Sequence, residues 1–263
     1  MSRARVVLVH GLRTSATMWR RQLAGLAQHD IDAVAIDLPG HGSRIGEPFT
    51  LDAAMRALGD ALPARDAAGQ SPGSPTPTST PTVLVGLSLG GYLAVEFAAS
   101  HPGRIDGLVA ASCGARPRGA GLAGYRRLAA LIGRLPDRGR AMNDAMVRLF
   151  LRGDAVDDVL AGGVALDVMA PALLAVGELD PEAALARIDV PVWFVNGRFD
   201  HFRFEERRML RATPNGRLVV VPGATHLVSL ARPDDFTAAV LGAVAELEAR
   251  AAHRRRRFGT ATA

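Results

Sequence analysis

One stretch of this chain admits few folds: PTVLVGLSLGGYLAVEFAASHP, residues 81–102. Residues 82–85 are β-branched or apolar, the short run that a strand buried on both faces shows. Gly86, Leu87, Ser88, Leu89, Gly90 and Gly91 then turn the chain, and residues 92–100 carry the apolar spacing and alanine content of a helix. A strand, a tight turn and a helix thus meet at one serine. Glycines at 86 and 90 let neighbouring backbone pass close to a residue held in strained φ/ψ. G-x-S-x-G between a strand and a helix is the nucleophile-elbow pattern, which presents the serine where unpaired helix N–H groups favour developing negative charge. Ser88 is the expected nucleophile.

The rest of the chain repeats the strand–helix rhythm. Apolar runs at 5–9, 31–38, 105–111, 190–195 and 217–221 read as further strands. Helical spacing appears at 15–28, at 51–62 behind a capping Thr50, near 204–211 and at 234–250. Such alternation predicts an α/β fold: a three-layer sandwich with a mostly parallel sheet of about six strands and helices on both faces. Between 114 and 188 the strands stop, and breaks at Pro136, Gly153, Gly162, Gly163, Pro171 and Pro181 divide four or five short helices. This segment is expected to be a helical cap inserted in a core of residues 1–113 and 189–250. The run GQSPGSPTPTSTP at 69–81 is expected to be a surface excursion, and 251–263 a disordered arginine-rich tail.

Composition narrows the class. A chain of 263 residues that is 48% hydrophobic can bury one large core. All basic residues are arginine; the net charge is +5 and the pI near 10.7. Much of that excess sits at Arg254–Arg257 with no binding motif beside it, so no nucleic-acid partner is expected. Cys113 is the single cysteine, which precludes an intramolecular disulfide, and neither a signal peptide nor a membrane span is legible. A soluble, cytoplasmic protein is expected, a monomer or homodimer whose partner is a small-molecule substrate.

A serine hydroxyl needs a base within hydrogen-bonding reach, and the base needs an orienting carboxylate. His226 follows the last strand in VPGATHLVSLARPDDF and is the expected base; Asp200, past the preceding strand in VPVWFVNGRFD, is the expected acid. His10 is expected to stabilise its loop, and His201 to sit at a pocket rim. Two N–H donors must meet the oxyanion. The Leu89 amide follows the nucleophile, and the Leu12 amide lies in the His10-Gly11-Leu12 loop after the first strand.

The motifs HG with Trp19, DLPGHGSR, GLSLGG, NGRFD and GATHLVSLARPDDF, in that order, resemble the α/β-hydrolase superfamily over nearly the whole chain. The resemblance implies a Ser-Asp-His triad, no required cofactor or metal, and a substrate pocket between core and cap. The strand pair that often precedes the HG strand has no room here, so a short sheet is expected. Serine at the elbow departs from the aspartate of relatives resembling epoxide hydrolases and haloalkane dehalogenases. The HGLR loop lacks the HGGG form of lipases and many esterases, which favours a small, soluble substrate over bulk lipid. Cleavage of an ester or thioester-like carbonyl through an acyl-enzyme is expected. C–C bond hydrolysis, a lyase step and a receptor function stay open on the same motifs. Nine arginines between Arg116 and Arg152, against Asp137 and Asp144, raise the question of an anionic substrate.

Overall fold

The computed structural model describes residues 2–64 and 80–259. Most of the excursion expected at 69–81 lies outside the described residues, as do residues 260–263. Six strands form one wholly parallel sheet: β1 (Ala4–Val9), β2 (Ile31–Ile36), β3 (Thr82–Leu87), β4 (Gly107–Ala111), β5 (Val192–Gly197) and β6 (Gly216–Val221), in the order β2-β1-β3-β4-β5-β6.

The strands are apolar on both sides because both sides are covered. In β1, Val7 and Val9 enter one core with Leu84 of β3, while Val6 and Leu8 enter the other with Val83 and Val85. This is the two-residue alternation of a pleated strand, with apolar residues in both registers. Helices α2 (Leu51–Ala61) and α3 (Leu89–Ser100) close the first core; α1 (Arg20–Ala27) and the C-terminal α11 (Pro233–Gly259) close the second. Thr50 caps α2 by accepting the Ala53 N–H at 3.1 Å, which satisfies a donor the helix cannot.

Five helices lie between β4 and β5: α4 (Gly119–Gly133), α5 (Arg140–Phe150), α6 (Asp154–Leu160), α7 (Met169–Glu178) and α8 (Pro181–Leu185). Pro171 does not break the chain as expected but sits in the first turn of α7, where its missing N–H has no helical partner to lose. Ala184 and Leu185 of α8 join the core, so packing on the sheet resumes before residue 189. Two helices flank β6, α9 (Glu206–Ala212) before it and the short α10 (Val228–Ala231) after it, the latter not anticipated. A correction concerns 251–263: instead of a disordered tail from 251, α11 continues to Gly259. Alanine and arginine rank high in helix propensity, and between Gly242 and Gly259 no glycine or proline interrupts the run.

Candidate active site

The elbow is built where β3 ends. Ser88 adopts φ 55°, ψ −114°, a conformation costly for a residue with a Cβ. Its N–H donates to the Ala111 carbonyl at 2.8 Å, and the Gly90 N–H donates to the His10 carbonyl at 3.1 Å, so neighbouring strand ends hold the turn. The glycines are required by contact. A Cβ on Gly86 would lie 2.2 Å from the Gly90 carbonyl oxygen, and one on Gly90 would lie 2.4 Å from that of Val9.

Three residues expected from the sequence come together there. His226 Nε2 lies 3.0 Å from Ser88 Oγ, and His226 Nδ1 lies 3.0 Å from Asp200 Oδ1. A proton on Nδ1 donates to the carboxylate and leaves the Nε2 lone pair facing the serine hydroxyl. The Asp200 side chain is buried; its Oδ1 also accepts the Phe202 N–H at 2.9 Å, while Oδ2 has no partner among the described residues. Burial alone would raise the Asp200 pKa, but the hydrogen bond and charge of His226, with the Phe202 N–H, outweigh it and hold the carboxyl below its ordinary value.

What holds His226 in place was not expected from the sequence. Ser112, directly after β4 at φ 52°, donates its hydroxyl to the His226 carbonyl at 2.7 Å, and its N–H donates to Asn196 Oδ1 at 3.0 Å. Asn196 Nδ2 in turn donates to Glu206 Oε2 at 2.9 Å, and Arg203 pairs with Glu206. The signal available was Asn196, a polar residue within the apolar run of β5.

Leu12 and Leu89 both line the cavity above Ser88, and among the described residues neither backbone N–H donates a hydrogen bond within the chain. His10 lies close by without taking part. It is buried, its Nε2 accepts the Leu38 N–H at 3.0 Å, and its Nδ1 lies 2.7 Å from the Gly11 carbonyl. Burial, then the charge of neighbouring His41, lower its pKa to about 3, so it is a neutral brace between the loops after β1 and β2. In DLPGHGSR, Asp37 accepts the N–H groups of Ala16 and Ser43 at 2.7 and 2.8 Å, tying the same loops together.

The cavity holds about 660 Å³, and its wall is mostly apolar: Leu12, Leu89, Leu122, Ala172, Leu173 and Val176. His201 lies on the wall, its ring centroid 5.0 Å from that of His226, and burial lowers its pKa. Donor atoms of Asp200, His201 and His226 fall within 4.8 Å of one another, a spacing a metal could bridge, but Asp200 Oδ1 and both His226 nitrogens are already spanned by the Ser88–His226–Asp200 chain.

The sequence model of the alpha/beta hydrolase family matches residues 6–240, and the chain belongs to that family. The chain is 28% identical over 251 residues to the pimeloyl-[acyl-carrier protein] methyl ester esterase of Neisseria meningitidis, covering 89% of this chain and 91% of that one. It is also 28% identical over 263 residues to the biotin biosynthesis bifunctional protein BioHC of Cellvibrio japonicus, covering 91% of this chain but 47% of that protein, so it spans about half the bifunctional relative's length. A thermophilic esterase from Thermogutta terrifontis shares the fold, with a TM-score of 0.72 at 24% identity over 94% of this chain and 91% of that one.

Proposed function

We propose that the protein hydrolyses a carboxylic ester with an aliphatic acyl chain through a covalent acyl-enzyme on Ser88. The unbroken chain of 3.0 Å contacts from Ser88 Oγ through His226 to the buried Asp200, beside an apolar cavity, carries this reading. Ser88 Oγ attacks the carbonyl carbon as His226 Nε2 takes its proton, while Asp200 stabilises the imidazolium. The amides of Leu12 and Leu89 receive the oxyanion. The C–O bond to the alcohol breaks as His226 returns the proton to that oxygen; His226 then deprotonates a water, which attacks the acyl carbon and frees Ser88. Relatives named as esterases support an ester over a C–C bond.

Residues 114–188 act in this reading as a cap, since α4 supplies Leu122 and Tyr125 to the wall and α7 supplies Ala172, Leu173 and Val176. Of the nine arginines noted between 116 and 152, Arg116 and Arg118 line the cavity. Arg116 Nε and N–H are both held by Glu205, at 2.5 and 2.7 Å, so the remaining wall favours apolar acyl groups. The working form is a cytoplasmic monomer or homodimer. Ser88→Ala is expected to remove hydrolysis of a nitrophenyl ester panel, by about 10⁴-fold or more, together with fluorophosphonate labelling. Turnover retained by that variant would overturn the assignment.

A further inference from the structure

The arginines that do not reach the cavity lie on a surface of unusual composition. Among the described residues, eight of the twelve large hydrophobic side chains exposed to solvent fall on α4, α5 and the turn between them. On α4 and just beyond it, Leu128, Leu131 and Leu135 recur at the three- and four-residue spacing of one helix face; on α5, Met146, Leu149 and Phe150 do the same. These are not marginal exposures: Leu149 is 70% exposed, Leu131 58% and Phe150 55%. α4 buries only Ala129 and α5 only Val147. Both helices thus carry an apolar face with nothing packed against it among the described residues, beyond the scattered apolar residues normal for a surface.

The charge beside these faces is mostly of one sign. Arg126, Arg127, Arg134, Arg140, Arg148 and Arg152 have no ion-pair partner among the described residues, whereas Arg138 pairs with Asp167. Two acids, Asp137 and Asp144, stand against these arginines: Asp137 accepts the N–H groups of Gly139 and Ala141 and feels the charge of Arg140, and Asp144 accepts from Asn143 Nδ2 at 3.4 Å. A second copy docked on this face about a twofold axis would set these arginines against their own equivalents, a like-charge arrangement that opposes self-association. Large apolar side chains flanked by arginine are instead the pattern of helices that lie in the interface of an anionic bilayer, apolar face inward and guanidinium groups among the phosphates.

We propose that α4 and α5 form a docking surface for an anionic lipid bilayer. α4 supplies Leu122 and Tyr125 to the cavity wall, so docking brings that wall beside the lipid surface. The site is independent of the catalytic assignment: it stands or falls without Ser88.

The test is co-sedimentation of the full chain with vesicles of phosphatidylcholine alone and of phosphatidylcholine mixed with phosphatidylglycerol. Binding to the mixed vesicles is expected to exceed binding to the neutral ones by at least about tenfold at low salt and to fall as salt is raised. Leu131→Ser with Leu149→Ser, and separately Arg134→Glu with Arg148→Glu, should each remove most of that binding while circular dichroism and hydrolysis of a soluble ester are retained. Failure to sediment with mixed vesicles at low salt overturns the proposal, as does equal binding to both vesicle types or binding indifferent to the four substitutions. A dimer in analytical ultracentrifugation that the leucine substitutions dissociate, with no vesicle binding, would assign the face to a second copy. Retention on immobilised polyglutamate without vesicle binding would assign it to an acidic protein, again overturning the lipid reading.

Discussion

Helices α3 and α4 are alike in composition and opposite in circumstance. LGGYLAVEFAAS and GAGLAGYRRLAALIG both carry two glycines in their first three residues and continue through tyrosine, leucine and alanine. Yet α3 buries nine of its twelve residues, whereas α4 buries one of fifteen. α3 starts at the elbow, where β1, β3 and β4 fix its first turn, and the sheet receives its apolar surface. α4 lies between β4 and β5, touching α7 along one side, with Leu128 and Leu131 on another side uncovered among the described residues. Apolar content therefore says that a helix wants a partner; the connectivity decides whether the chain provides one.

The contrast can be broken at its glycines. Gly90→Ala places a Cβ 2.4 Å from the Val9 carbonyl oxygen, backbone that cannot yield without opening the elbow. It is expected to cost above about 4 kcal/mol, read as the shift in a urea unfolding midpoint, and to reduce ester turnover to background. Next in size is truncation: Leu93→Ala, fully buried on α3, should cost about 2–5 kcal/mol, while Leu128→Ala on α4 should stay within about 0.5 kcal/mol. Comparable losses at the two sites would mean that α4 is packed in solution after all.

Acid should destabilise the sheet and its loops through His10. Because folding lowers the His10 pKa from 6.5 to about 3, the unfolded chain takes up that proton first. Stability from this group is complete above 6.5 and is lost as pH falls towards 3, by about 2 kcal/mol at pH 5. Urea midpoints at pH 7.5 and 5 measure it, and a midpoint unchanged between them would show that His10 is not buried neutral. The smallest effect has the opposite sign: Gly124→Ala on α4 meets no atom within 4 Å and should raise stability by about 1 kcal/mol through helix propensity alone, visible as a higher melting temperature.

Much of this is legible in the sequence, for a physical reason. Ser88, Asp200 and His226 each sit a few residues beyond a strand, and a parallel sheet brings such loops to one end. Short-range patterns therefore located long-range neighbours. Of Ser112, Asn196 and Glu206 only Asn196 left a trace, a polar residue in the apolar run of β5, because a buried polar bridge needs no fixed spacing. The end of α11 was misread since a run of arginine looks like a solvated tail, although its propensity is helical. The bare faces of α4 and α5 were beyond sequence altogether: periodicity gives a face and not its cover.

Cys113 packs against Gly91 at the start of α3, where a Cβ on that glycine would come within 2.8 Å of the sulfur. It is buried, and burial pushes its thiol up to about 12, far from the thiolate that alkylating reagents require. The native protein is therefore silent to thiol-directed dyes without any engineering. A cysteine introduced at the exposed Ala130 of α4 would be the single addressable position of the chain, and one fluorophore there would report on this helix alone.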